Sequence, residues 1–370
     1  MSAERAIHGG HLQTAMSRAL RGHRHPGKVA GPVGRLRPAG DSMKLRAPSC
    51  HRRTPPTDFP VLLATTNERR YPRPVDGLPN FTALEPLDLV ERALQDLQEE
   101  LSFEEIEGAP THTVISASGL ESPSSTAAFG MYLVGALAGA VRHDAQLCAD
   151  MLPSGIDGQQ ELTWAVTRLI GENNTFTSKP EISFRDTKRN AWIAEGVMHA
   201  LLVVRARVEN SLLSGPVNAL AELHTIPTQQ GLDAVAIYSE PSGPVVAIGE
   251  SKASRLGGSA QLTEASQIFR DVDELKYGPE LRSKLATLKM ALPSEIAELV
   301  SNSLWLQHRC YFPMIVHELE FDLLAKRDAL GRLLPSIERR RVIALRLKEF
   351  HDFFNSVADS MRSSVLKVVV

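Results

Sequence analysis

The stretch 231–252, GLDAVAIYSEPSGPVVAIGESK, constrains the fold more than any other part of the chain. Two short apolar runs, 234–238 and 245–248, flank the turn-forming residues Ser239, Glu240, Pro241, Ser242 and Gly243. Runs of this length, rich in Val and Ile and bounded by turn chemistry, predict buried strands joined as an antiparallel hairpin. A hairpin returns the chain to where it began. Asp233, ahead of the first strand, therefore comes level with Glu250 and Lys252 at the end of the second, although 17 positions separate the two carboxylates.

Around the hairpin the pattern is mixed. An acidic amphipathic helix is predicted over 84–101, with Val90, Leu94, Leu97 and Leu101 on one face. Further helices are predicted over 160–170, 186–208 and 260–277, and a final amphipathic helix over about 335–362. The runs 111–118 and 309–316 read as strands. Helix, hairpin, helix, strand is the order of an α+β (mixed α/β) fold. There is no internal repeat and no βα alternation long enough for a doubly wound sheet. The polar stretch GENNTFTSKPE marks a boundary, giving a mainly helical region over 79–175 and a domain over 176–370 that carries the hairpin.

The net charge of −2 conceals an asymmetry. Residues 1–75 hold 14 Lys and Arg against 4 Asp and Glu, so a basic head precedes an acidic body. The segment 1–78 is dense in Arg, His, Pro and Gly and lacks periodicity, which predicts disorder. A nucleic-acid-attracting arm and an upstream start ahead of Met43 are the other two readings of it. Three distant cysteines, Cys50, Cys148 and Cys310, offer neither a disulfide framework nor zinc spacing, as expected of a cytoplasmic chain. The one long apolar run, 126–141, falls short of the roughly 18 to 20 residues that cross a bilayer and is rich in Ala and Gly. It predicts a buried helix and no membrane association.

The hairpin's charges have a chemistry. Mg²⁺ takes oxygen ligands, one or two of them carboxylates, and keeps waters for exchange. Asp233 and Glu250 supply the carboxylates, and the backbone carbonyl of Ser251 is a natural third ligand because strand alternation turns its side chain away. Mn²⁺ is an acceptable substitute. Lys252 points to the same side as Glu250, where it would orient a water and stabilise charge developing on a phosphate. The three letters Glu-x-Lys alone mean little, since Glu274-Leu275-Lys276 repeats them in a predicted helix, where residues two apart face different ways. Strand context distinguishes Glu250-Ser251-Lys252.

These residues resemble the PD-(D/E)xK nuclease superfamily, with Leu232-Asp233 at the Pro-Asp position and Glu250-Ser251-Lys252 at the (D/E)xK position. The leading Pro is absent. The resemblance implies a restriction-endonuclease-like core over 176–370, a central mixed sheet flanked by helices. It also implies a further metal-binding glutamate from the preceding helix, for which Glu195 is the best match and Glu222 the competitor. Glu195 sits in a strongly apolar segment, so it needs a functional role or an ion pair if buried. Gln267 would be an accessory contact to the lysine or to DNA, and Arg255, Lys284 and Lys289 are candidate phosphate contacts. More narrowly, 192–253 is similar to the HamA family of nuclease subunits from Hachiman-type antiphage systems. That implies a DNA-cleaving defence effector, endonuclease or exonuclease, working with a helicase partner.

Other classes find no support. The chain lacks Gly-x-x-x-x-Gly-Lys-Ser/Thr, Gly-x-Ser-x-Gly and His-Glu-x-x-His, and His317-Glu318 lacks its second histidine. The competing expectation is a noncatalytic nuclease-fold scaffold that binds DNA or a protein partner.

Overall fold

The computed structural model describes residues 84–151, 157–207, 212–226 and 231–370. The basic segment 1–78 and its three readings lie outside the described residues. In chain order, helix α1 (Pro86–Glu100) leads into strands β1 (Ser102–Ile106) and β2 (Thr113–Ser118). Helices α2 (Pro123–Met151), α3 (Gly158–Ile170), α4 (Lys179–Phe184) and α5 (Asn190–Ala206) follow, a π-helical turn over Arg185–Arg189 joining the last two. Then come β3 (Val217–Leu220), β4 (Ala234–Glu240), β5 (Gly243–Ser254), α6 (Gly258–Asp273) and α7 (Gly278–Ala291). Strands β6 (Arg309–His317) and β7 (Arg341–Arg346) and helix α8 (Phe350–Val365) follow, with short helical turns over Ser294–Ala297, Leu304–Leu306, Asp328–Gly331 and Ile337–Arg339 in the connections.

The strands form one mixed seven-stranded sheet in the order β1-β2-β7-β6-β5-β4-β3. Its centre, β2-β7-β6-β5, is parallel, and both margins are antiparallel. Regions 79–175 and 176–370 both contribute strands to it. Alternation along each strand sorts side chains onto two faces, as a period of two requires. Ala234, Ala236, Tyr238, Val245, Ala247, Phe312 and Met314 pack with α1, α2, α3, α5 and α8. Val235, Ile237, Val246, Ile248, Tyr311 and Ile315 pack with α6 and α7 on the other side. The hairpin register pairs Ala234 with Gly249 and closes with Glu240 opposite Gly243, whose φ of +122° suits glycine.

Helix α5 is the central helix. Every residue from Trp192 to Leu202 is buried, consistent with a segment apolar on all sides. Close approach to α2 is possible because Gly196 lacks a Cβ, which would stand 2.1 Å from Leu133 Cδ2. Helix α2 outgrows the apolar run that announced it. Its Pro123–Gln146 portion is long and apolar enough to cross a bilayer, and 67% of its apolar window is buried. Gly135 lets α1 approach, since a Cβ there would sit 2.7 Å from Val90 Cγ2.

The helix expected over 335–362 is instead a turn, strand β7 and helix α8. Strand β7 lies between β2 and β6 with its first five residues buried, so it reads as a continuous apolar run rather than an alternating one. The expected helix over 260–277 stops at Asp273, and Leu275 adopts a left-handed φ of +68°. The Glu274-Leu275-Lys276 triplet is therefore a turn. Contrary to the helical expectation, its two charges meet, with Lys276 Nζ 2.9 Å from Glu274 Oε2 and 2.7 Å from Asp271 Oδ1.

Candidate metal centre

The hairpin places Asp233 one step beyond the Ala234–Gly249 pair, opposite Glu250. Gly249 is required there for packing: a Cβ would stand 2.3 Å from the ring of Phe312, its neighbour across the parallel β5–β6 pair. The Asp233 Oδ2 accepts from the Ser251 backbone N–H at 2.8 Å and from Ser251 Oγ at 3.1 Å. The Ser251 side chain thus turns toward Asp233, whose carboxylate reaches across to the second residue beyond the hairpin pairing.

Asp233 is also held from below. The chain entering β4 passes over α7, whose Glu280 Oε1 accepts from Leu232 N–H at 2.9 Å and whose Lys284 Nζ donates to Leu232 O at 2.8 Å. Glu280 and Lys284 pair with each other at 3.2 Å, so both main-chain groups of Leu232 are gripped by one ion pair. Gly231, at φ +145°, fits over this pair because a Cβ would meet Glu280 Oε1 at 2.7 Å.

Glu195 arrives from α5. Its Oε1 lies 2.9 Å from His224 Nδ1 and accepts the His224 backbone N–H at 3.3 Å. On the same helix face, Trp192 Nε1 donates to His224 O at 2.7 Å and His199 Nε2 to Ala221 O at 2.9 Å. Burial pulls the His199 imidazole down to about 4, so it is neutral and its Nδ1 accepts from Tyr132 Oη at 2.6 Å. Three residues of α5 therefore fix the segment 221–224 and bring His224 inward. One potential ligand atom each from Glu195, His224 and Asp233 lies within 4.8 Å of the others. Glu222 is exposed and is not a member of this group.

Glu250 and Lys252 adjoin the cluster on β5. Glu250 is 5% exposed, its Oε1 is 2.8 Å from Lys252 Nζ, and its Oε2 is buried with no hydrogen-bond partner. An orphan buried carboxylate oxygen beside other acids can serve as a cation ligand.

The electrostatics agree with that geometry. Burial, and then the Asp233 charge, push the Glu250 carboxyl up to about 8. Burial also raises Glu195 and Asp233, opposed by His224 in the first case and by the Ser251 N–H in the second. The hydrogen bond to Glu195 raises His224. Burial alone would lower the Lys252 ammonium, but Glu250 outweighs it and the net direction is up. Glu264 on α6 adds to the negative field at Lys252.

Several expected contacts fall elsewhere. Gln267 is exposed and donates to Asp271 Oδ1, one turn along α6, at 3.0 Å. Lys284 serves Leu232, and Lys289 Nζ donates to Val300 O at 2.9 Å. Arg255 is exposed; its backbone carbonyl accepts from the Glu318 and Leu319 N–H groups, and its guanidinium has no hydrogen-bond or ion-pair partner among the described residues. His224 was not anticipated. In sequence it is one histidine in a polar loop, and only the long-range grip of Trp192 and Glu195 gives it a position. Comparison of the sequence with family models and with curated proteins gives no match.

Proposed function

We propose that the chain is a metal-dependent nuclease that hydrolyses phosphodiester bonds in DNA. The observation that carries this reading is the cluster of Glu195, His224 and Asp233 at one end of the β4–β5 hairpin, with Glu250 and Lys252 adjoining it and Glu250 Oε2 left bare. Buried acids so placed repel one another, and a divalent cation offsets that repulsion. Asp233, Glu195 and His224 would hold it, with Glu250 and the Ser251 carbonyl at its margin. An oxygen-rich set suits Mg²⁺, and the imidazole inclines it toward Mn²⁺. Bound there, the cation supplies Lewis acidity toward a phosphoryl oxygen and lowers the pKa of a bound water. Lys252 holds a proton-rich ammonium at the substrate side, 26% exposed, where it stabilises developing negative charge. Glu250 keeps that ammonium aimed.

The reading extends to a restriction-endonuclease-like core of the PD-(D/E)xK kind and, on the likeness to the HamA family, to an antiphage effector in the cytoplasm that acts with a helicase. The acidic body favours a partner that delivers DNA, because unaided binding draws on basic surface to release counterions. The test is cleavage of a panel of duplex, single-stranded and branched DNA with Mg²⁺ or Mn²⁺, with and without a helicase partner. Wild type cuts, and Asp233→Ala and Lys252→Ala do not. Equal cutting by all three, or none in any condition, leaves the noncatalytic scaffold as the better account.

A further inference from the structure

A second cluster of polar groups lies beyond the acids, where the π-helical turn, the start of α5, the end of β5 and the start of α8 meet. A cleft of about 480 Å³ opens where the start of α5 meets the end of β5, a volume in the range of small-ligand sites. Asn190 lines it and is 1% exposed. Its amide orientation is fixed, because Oδ1 accepts from Arg189 Nε at 3.0 Å, and this leaves Nδ2 as a buried donor with no partner. His351 lines the opposite side, and its Nδ1 is likewise buried and unpartnered. Two orphaned polar atoms at one cleft call for a ligand with oxygens to share.

The charge around the cleft selects the ligand's sign. Arg255 stands at its mouth without an ion-pair partner among the described residues, and Arg185 lines it as well. Behind Asn190 the guanidinium of Arg189 is fully buried. It bonds the amide oxygens of Asn190, Asn174 and Asn355 and lies 4.7 Å from the Phe176 ring centroid, so no carboxylate bond cancels its charge. The one carboxylate in the lining, Asp186, is taken by Arg185 at 2.7 Å. Arg185 and Arg189 bracket the π-helical turn, a local irregularity that recurs at functional sites. Apolar surface completes the cleft, with Leu256 62% exposed and Phe350 beneath it.

We infer that this cleft binds a nucleotide of the DNA strand that is cut, its phosphate against Arg255, Asn190 and His351 and its base against Leu256 and Phe350. The inference rests on the nuclease reading for its substrate class. The spacing agrees: Asn190 precedes Glu195 by five residues of helix, about 7.5 Å, and Arg255 follows Lys252 by three residues of near-extended chain, about 10 Å. Those separations place the cleft beside the acids, within reach of nucleotides flanking the scissile phosphate. They also give the acidic body a local cationic seat for a polyanion.

The test is binding of a fluorescent single-stranded oligodeoxynucleotide to the full chain, with Ca²⁺ in place of Mg²⁺ and over a series of salt concentrations. Deoxyadenosine monophosphate is the competitor. Arg255→Gln alters an exposed side chain, and Asn190→Asp keeps the oxygen that Arg189 uses while setting a negative charge against the phosphate. Each is expected to weaken binding about tenfold, the scale of a lost charge-assisted hydrogen bond. Arg255→Gln is also expected to lower the slope of log affinity against log salt by about one. Wild-type affinity and slope in both variants overturn the inference. Mononucleotide binding that both variants weaken, with oligonucleotide binding unchanged in them, overturns the strand assignment, leaving a free-nucleotide site. Failure of the nuclease reading itself looks different: the oligonucleotide binds and the variants weaken it, while no metal supports cleavage.

Discussion

Replacing Glu250 by Gln isolates the cost of crowding the acids. The substitution keeps the side-chain volume and leaves an oxygen for Lys252, which sits 2.8 Å from Oε1. What disappears is a negative charge at a position 5% exposed, across the hairpin from Asp233. Two like charges at cross-strand spacing, about 5 Å, repel by about 3 kcal/mol at an effective dielectric of about 20. Reducing the Lys252 bond from charge-assisted to ordinary returns about 1 to 2 kcal/mol. With metals chelated, the variant should therefore equal wild type or exceed it by up to about 2 kcal/mol at mildly alkaline pH. The pH profile reads this more sharply. The folded carboxyl titrates near about 8 against an ordinary value of 4.5, so the native state holds the proton more tightly. Its stabilisation is complete below 4.5 and is lost as pH rises toward about 8, with a slope of at most about 1.4 kcal/mol per pH unit. His224, also raised, loses stabilisation with rising pH in both proteins, so the difference between the two profiles belongs to Glu250 and the acids it repels. Urea titrations in chelator from about pH 5 to about pH 8 measure it. Parallel profiles, or a variant weakened by more than about 2 kcal/mol at the alkaline end, refute the reasoning.

Two further substitutions probe the frame of the site. Gly249→Ala drives a methyl into the buried Phe312 ring and should cost about 1 to 3 kcal/mol, recovered in part by Phe312→Leu; full stability of the single variant in chemical denaturation contradicts that packing. His224→Ala leaves Glu195 buried without its imidazole and should cost about 3 kcal/mol at neutral pH, shrinking as acid protonates Glu195, a pattern followed by thermal melts across pH. A loss independent of pH would place the contribution of His224 in its packing alone.

The hairpin was legible because strand residues, turn residues and flanking charges agree over a short span, and local agreement needs no knowledge of the rest of the chain. Strand β7 was not: RVIALR is buried along nearly its whole length between two parallel neighbours, so it carries no alternation, and the amphipathic helix after it dominates the pattern. The Glu274 to Lys276 turn was misjudged because the helix-ending left-handed conformation falls on Leu275, a residue that does not announce it. At the candidate site the pairing of Asp233 with Glu250 follows from hairpin geometry, whereas Glu195 could be nominated only by likeness to a family. His224, Glu280 and Lys284 depend on contacts between elements distant in sequence, which no spacing encodes. The cleft at Asn190 belongs to the same category, since its orphaned amide exists only because Arg189 claims the other end.

The account's central claim is that the acids at the end of the hairpin form a divalent-cation site, and a Mn²⁺ titration of the full chain followed by calorimetry and proton release tests it most directly. Wild type should bind one ion saturably and release protons from the raised acids as it does so, more at mildly acidic than at alkaline pH, while Asp233→Asn loses both signals. Absence of saturable binding to the wild type, or equal affinity in Asp233→Asn, would contradict it.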